Sequence, residues 1–319
     1  PFLGISWSIS NLHGWGNYGL QILLEIFRRG EPFPMCFEPI VTDAFPDDLT
    51  KIIQPAIDFQ SYQLPKLRRS GQVANLKDAI ILHSMGNNFV MAPSSENFRG
   101  EVNGGVIFFE QPHFTPDQIK KVAELDFIIA GSSWNANVLD DFNLKKVETI
   151  FQGVDTNLFR PQPKKGTYEG KFTIFSGGKL EFRKGQDIVL EAFKIFSEKH
   201  SDAMLITAWQ NLWPHHGTGL EHSPHVKNTP TLDESGNLMI SKWAFDHGLA
   251  TDKFIDLGFV PNTEMPNHLR DIDLAVFPNR CEGGTNLVAM EAMSCGVPTI
   301  IAANTGQLDL IDEENCYAL

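Results

Sequence analysis

The chain has 319 residues, 42% of them hydrophobic and 20% charged, with a formal net charge of −13. That length exceeds the usual limit of one hydrophobic core, and the balance is ordinary for a globular protein, so two domains are expected. The acidity argues against nucleic acid or an anionic membrane surface as a general partner.

Short apolar runs alternate with amphipathic ones, the pattern of a parallel sheet wrapped by helices. Strands are expected at 2–9, 79–83, 105–109, 127–130 and 147–151, forming a first Rossmann-like domain over residues 1–160. A second set at 172–175, 203–208, 254–257, 274–277 and 299–302 forms another over residues 161–319. Residues 14–19, Gly-Trp-Gly-Asn-Tyr-Gly, read as a loop between the first strand and a helix. A loop of that kind presents backbone amides to phosphate, although the glycines lack the dinucleotide spacing. Thr115-Pro116-Asp117-Gln118 carries an N-cap, a proline at the first helical position and a capping-box glutamine. Ile188, Val189, Ala192, Phe193 and Phe196 recur at helical spacing and are assigned to a core. The stretch 161–171, rich in lysine, glycine and proline, reads as a linker, and 214–237 as an extended loop.

The four cysteines show no metal-binding spacing and read as reduced thiols of a cytoplasmic protein, and no apolar run is long enough to span a membrane. Asp271-Ile272-Asp273 has the D-x-D form of a metal site, but it directly precedes a strand and reads as ordinary. His215, His216, His222 and His225 lack cysteine partners and are assigned to a solvated loop rather than to zinc. Trp209 either packs the second domain or lines a site there.

The most informative segment is 279–298. Glu282 precedes a small flexible turn, Gly283-Gly284-Thr285-Asn286, and a helix-like run from Leu287 carries Glu291 one turn further on. Glycines let a backbone approach a ligand closely, and amides at a helix start favour an anion such as a diphosphate. Carboxylates accept hydrogen bonds from hydroxyls, so the pattern suits a nucleotide bearing a sugar. The segment resembles the signature of the retaining, two-Rossmann-domain (GT-B) glycosyltransferases of family four, the glycosyl transferases group 1. That family spaces its two glutamates eight positions apart, whereas Glu282 and Glu291 are nine apart. Either the loop has one extra residue or a neighbour of Glu282 is the first acid.

Three further segments carry the same resemblance in the family's order. Phe151-Gln152-Gly153-Val154-Asp155 with Phe159-Arg160-Pro161 is similar to its interdomain junction, with Gln152 in place of Asn. Lys179-Leu180 followed by Arg183-Lys184-Gly185 is similar to its phosphate clamp, Lys179 standing at the usual Arg position. Residues 14–19 are similar to its N-terminal glycine loop.

The resemblance implies an α/β fold of two Rossmann-like domains whose parallel sheets face across a cleft, residues 1–160 forming the acceptor-side domain and 161–319 the nucleotide-sugar donor domain. It implies transfer of a sugar from a nucleotide-diphosphate donor to an acceptor hydroxyl, with retention and without a metal or other cofactor. Lys184, Lys179, Glu282 and His83, at a strand end, would act in catalysis. Gly16, Asn17, Gly283, Gly284, Thr285, Asn286, Leu287 and Glu291 would bind the donor. The acceptor is open among glycan, lipid, small molecule and protein. A nucleotide-sugar epimerase or a non-catalytic binding protein of the same fold is the alternative. Family members continue through further helices, so the chain is expected to be a piece of a longer protein with a loosely restrained hinge.

Overall fold

Two all-parallel, six-stranded sheets organise the chain. The computed structural model describes residues 1–68, 72–144 and 146–319, in two units, Pro1–Gln152 and Gly153–Leu319.

In the first unit the strands are β1 (Phe2–Ile5), β2 (Phe33–Cys36), β3 (Ala74–Met85), β4 (Phe98–Ile107), β5 (Phe127–Ala130) and β6 (Val147–Thr149), in the order β2-β1-β3-β4-β5-β6. Its helices are α1 (Gly14–Arg29), α2 (Asp47–Asp58), α3 (Leu64–Leu67), α4 (Ser94–Asn97), α5 (Pro116–Ala123) and α6 (Ser133–Asp140). Helix α1 buries Leu20 and Leu23 in one cluster with Ile5 and Ile9. The expected capping box is formed at α5, with Thr115 Oγ1 and Gln118 bonding each other's backbone N–H. Two strands run longer than their apolar runs suggest: β3 and β4 begin in polar sequence and pair from Ala74↔Phe98 onward. Strand β2 has no clear signal because Pro34 interrupts it, a residue tolerated at the edge position that β2 occupies.

The second unit contains β7 (Phe172–Gly177), α7 (Gln186–Lys199), β8 (Ala203–Ala208), α8 (Ile240–Asp246), β9 (Phe254–Asp256) and α9 (Met265–Leu269). It continues with β10 (Leu274–Phe277), α10 (Leu287–Ser294), β11 (Thr299–Ile301) and β12 (Tyr317–Ala318). The sheet order is β12-β11-β10-β7-β8-β9. One face is covered by α7 and α8, with Leu180, Val189, Leu190, Trp209, Leu220 and Trp243 in a single core. The other is covered by α9 and α10, with Met265, Leu269, Ala289 and Ala292 against Phe175 and Ile206. The stretch read as a linker is partly fixed to this unit. Asp271 accepts hydrogen bonds from the N–H groups of Lys165, Gly166 and Thr167 and from the Thr167 hydroxyl, while Asp273 pairs with Lys164 and Thr173. The D-x-D carboxylates thus fasten a loop.

Candidate functional site

The order of the second sheet sets where a ligand can bind. From β7 the chain runs outward through β8 and β9, then returns past β7 to add β10, β11 and β12. The loops leaving β7 and β10 therefore diverge to opposite faces, and such a switch point leaves a crevice at the carboxyl ends of the strands. Both sequence motifs lie on those two loops.

The loops are sewn together by charge. Arg280 donates two hydrogen bonds to the carboxylate of Asp187, at 2.8 and 2.7 Å, and its guanidinium lies 4.0 Å from the centre of the Phe182 ring. Its backbone N–H donates to the Arg183 carbonyl at 2.7 Å. The turn before α7 needs Gly185: its φ is +71°, and a Cβ there would lie 2.4 Å from the Pro278 carbonyl oxygen. This brings Lys184 and Arg183 to Glu282. Lys184 Nζ and Asn279 Nδ2 both contact Glu282 Oε1, and Arg183 reaches Oε2 at 2.9 Å. On its other side Arg183 pairs with Glu181 at 2.7 Å, and Glu181 pairs with Lys179 at 2.8 Å. Three cations thus share two buried carboxylates, a net positive cluster in low-dielectric surroundings.

Burial opposes ionisation of Glu282, but the charges of Lys184 and Arg183 outweigh it and hold the carboxyl at about 2. Burial likewise pulls the Lys184 ammonium below its usual range, against the attraction of Glu282. A buried pair of this kind tolerates loss of one partner poorly, because the other is left as an unpaired charge.

Past Glu282 the chain forms the turn Gly283–Asn286 and enters α10. Asn286 caps the helix from the left-handed region, accepting the Ala289 N–H and donating to Gln307 Oε1 at 2.9 Å. Gly306 packs against this turn so closely that a Cβ would lie 2.2 Å from the Gly284 carbonyl oxygen, and its N–H donates to the Glu282 carbonyl at 3.0 Å. Glu291, one turn into α10, is 5% exposed and accepts one hydrogen bond, from Asn262 at 2.5 Å. Burial pushes its carboxyl up to about 8, against the opposing effect of the Asn262 hydrogen bond. Of two glutamates nine positions apart, one is held ionised and the other largely protonated.

The structure links Lys179, Lys184 and Glu282 through Glu181 and Arg183 at the ends of β7 and β10, with Gly283, Gly284, Thr285, Asn286 and Leu287 directly after Glu282 and Glu291 further along α10. Gly16, Asn17 and His83 belong to the first unit. Residues 14–19 are the opening turns of α1 rather than a loop, with His13 accepting the Gly16 N–H at 3.0 Å. Helical hydrogen bonds outweigh the flexibility of the glycines once His13 caps the start. Asn17 is buried with its Oδ1 unpartnered among the described residues. His83 is fully buried, with Nδ1 2.8 Å from Ser95 Oγ and Nε2 3.2 Å from Asn103 Oδ1. Burial lowers it to about 4, so it is a neutral ring engaged at both nitrogens within its own unit. Trp209 is fully buried and donates to Ser176 Oγ at 3.2 Å, placing it in the core. Among the described residues, no three His, Cys, Asp or Glu side chains are grouped to hold a metal ion, and no helix is long and apolar enough to cross a membrane.

Sequence reasoning passed over Glu181, Asn262, Asn279 and Arg280, and quoted Arg183 only as part of a motif. Arg183 and Glu181 had a usable signal, alternation of charge with Lys179 and Lys184. Asn262 had none, since it meets Glu291 only through the fold.

Two α/β units, each built on a parallel six-stranded sheet, define a class of Rossmann-like proteins, and the second carries a cluster of cations at its switch point. The family described as "Glycosyl transferases group 1" matches residues 160–318, and that half of the chain belongs to it. The chain is 28% identical over 192 residues to mannosylfructose-phosphate synthase of Agrobacterium fabrum, covering 57% of this chain and 38% of that protein. It is 26% identical over 241 residues to D-inositol 3-phosphate glycosyltransferase 1 of Catenulispora acidiphila, covering 72% of this chain and 53% of that protein. The matched regions thus span about half or less of the length of these curated relatives. Among solved structures, HepE of Anabaena in complex with UDP and glucose aligns with a TM-score of 0.64 at 15% identity, covering 100% of this chain and 85% of that one. Sucrose-phosphate synthase of Thermosynechococcus elongatus aligns with a TM-score of 0.62 at 15% identity and the same coverage. At that identity the likeness is one of fold, the two-domain GT-B arrangement of Rossmann-like units.

Proposed function

We propose that this chain carries out sugar transfer from a nucleoside-diphosphate sugar to an acceptor hydroxyl, with retention at the anomeric carbon and without a metal or other cofactor. The observation that carries this reading is the crevice at the β7/β10 switch point. There Lys184 and Arg183 converge on buried Glu282 beside the start of α10. Cleaving the bond between the anomeric carbon and the phosphate oxygen sends its electron pair to the departing diphosphate. Lys184, Arg183, Lys179 and the amides of the 283–286 turn would offset that charge, the task a divalent ion performs elsewhere. The acceptor oxygen forms the new bond to the same carbon, and its proton passes to the departing diphosphate.

Glu282 has a second task in this reading. It neutralises the cations while the crevice is empty and is displaced from Lys184 when a diphosphate enters. Glu291 would hold the ribose hydroxyls, with Asn262 fixing its orientation. In the first unit, Gly16 and Asn17 would contribute donor contacts, and the unpartnered Asn17 Oδ1 supports that assignment. The bonded state of His83 favours a role in orienting the end of β3. Thiols at Cys36, Cys295 and Cys316 support a reducing, cytoplasmic setting.

The test is incubation with a panel of nucleotide sugars, UDP-glucose first, with and without candidate acceptors, and quantification of released nucleoside diphosphate. Acceptor-dependent release is the expected result. Conversion of the sugar without release of nucleotide would make the protein an epimerase, and binding without turnover a non-catalytic module.

A further inference from the structure

A cavity of about 720 Å³ opens in the first unit where β1, β2 and β3 begin. Nucleotide crevices of parallel sheets form at the carboxyl ends of the strands, so this cavity at the amino ends is a separate place. Phe2, Phe33 and Met35 line it from β1 and β2, Asn75, Leu76 and Lys77 from β3, and the segment 55–67 supplies the other residues. That segment is an irregular helix. Pro55 lies inside α2, and the chain continues as a π-helical turn, Phe59–Gln63, in which the Leu64 N–H reaches back to the Phe59 carbonyl. Widened turns of this kind recur at functional sites. Gln60 pins the turn, accepting the Ile40 N–H at 3.1 Å and donating to the Glu38 carbonyl at 2.6 Å.

The wall is apolar and unfilled. Phe59 is buried, and Phe33 lies edge-on to it at 6.1 Å and to Phe2 at 6.3 Å, yet Phe33 and Phe2 stay 40% and 41% exposed. Tyr62, on the same turn, is exposed. Concave apolar surface of this size, within the range of about 300–1,000 Å³ usual for small-molecule sites, marks a ligand pocket more than a flat contact face. Its charge is also selective. Between Asp58 and Asp78 the sequence has no acid, although the chain as a whole carries −13. Lys66 and Lys77 line the cavity, and neither has an ion pair among the described residues. Asp58, the one acid in the lining, accepts a hydrogen bond from Gln54 at 2.8 Å.

The geometry points to a binding site for a single-chain anionic amphiphile, its acyl or prenyl chain in the cavity and its phosphate or carboxylate head at Lys66 and Lys77. The chain supplies affinity in proportion to the apolar area it buries against Phe2, Phe33, Phe59 and Leu76. The two ammonium groups select a charged head over a neutral one. The site stands independently of the transferase reading, because it uses no residue of the second unit and none of the loops at the carboxyl ends of the strands.

The experiment labels the eight methionine methyls of the whole chain with 13C and assigns Met35 from Met35→Leu. Octyl, decyl and dodecyl phosphate below their micelle concentrations, decanol, inorganic phosphate, and vesicles of phosphatidylglycerol are titrated separately. The alkyl phosphates should move the Met35 resonance, with affinity rising about tenfold for every two added methylenes. Decanol should bind about tenfold more weakly than decyl phosphate. The double variant Lys66→Gln/Lys77→Gln should bring decyl phosphate down to the level of decanol and leave decanol unchanged. No movement of Met35 with any alkyl phosphate would refute the site. Equal affinity for decanol and decyl phosphate would refute the anionic head, and an equal response to inorganic phosphate would refute the chain. A response to vesicles alone would overturn the single-chain ligand in favour of a bilayer surface.

Discussion

Glu291→Gln isolates the cost of burying a carboxyl beside a single hydrogen-bond donor. In the folded protein this group sits at about 8, against an ordinary value of 4.5. Between those values the unfolded chain has released the proton and the folded chain retains it. Folded stability is therefore highest at low pH and is lost as pH rises through the folded value. Each unit of difference is worth about 1.4 kcal/mol, so the loss between pH 5 and 8 is about 3–4 kcal/mol. Glutamine keeps the oxygen that accepts from Asn262 and cannot ionise, so it removes the pH dependence at an added cost of about 1–3 kcal/mol for its own buried NH2. Urea unfolding of wild type and Glu291→Gln at pH 5, 6.5 and 8 should show the variant gaining on the wild type by about 3–4 kcal/mol across the range. Ribose hydroxyls bonded to the carboxylate would favour its ionised form, so nucleotide binding at pH 7 should release a substantial fraction of a proton. Calorimetry in buffers of different ionisation enthalpy reads that number. A stability difference constant from pH 5 to 8 would refute the reasoning about burial. Nucleotide binding without proton release would refute the ribose assignment.

Lys184→Met leaves Glu282 buried with Arg183 as its remaining cation, and should cost about 3–5 kcal/mol in denaturant unfolding and about 10²-fold in turnover. Pairing it with Glu282→Gln should recover much of the stability and none of the activity, which a purely structural ion pair would not do. Gly306→Ala forces a Cβ to within 2.2 Å of the Gly284 carbonyl, so the 283–286 turn must shift. UDP affinity measured by calorimetry should fall by about tenfold or more, and an unchanged affinity would remove that turn from the site. Turnover should survive EDTA, whereas complete loss restored by Mg²⁺ or Mn²⁺ would mean that cationic side chains do not suffice.

Much of this protein is legible one segment at a time. The helix entered through Gly185 follows from glycine and from apolar residues at helical spacing, and β7 to β11 of the second sheet, though not the two-residue edge strand β12, from short apolar runs, because both signals come from neighbours in sequence. The glycine turn before Leu287 was likewise readable as a local pattern. Strand β2 was not, because Pro34 disguises an edge position that only the sheet order reveals. The N-terminal glycine segment was misread as a loop, since a helix start depends on whether His13 turns back to cap it.

Charge states belonged wholly to the tertiary structure. Glu282 and Glu291 are chemically identical and nine positions apart, yet one is held near 2 and the other near 8. The difference comes from what the fold brings to each: two cations from the β7 loop to Glu282, a lone amide from the β9–α9 loop to Glu291. The surroundings of His83 and of Asp271 and Asp273 were set in the same way, by partners distant in sequence that bury and bond the ring and make the two carboxylates a latch. Sequence specifies residue types and their local periodicity. The energy of a buried charge depends on solvent access and on the partners a few ångströms away, and those exist only once the chain has folded.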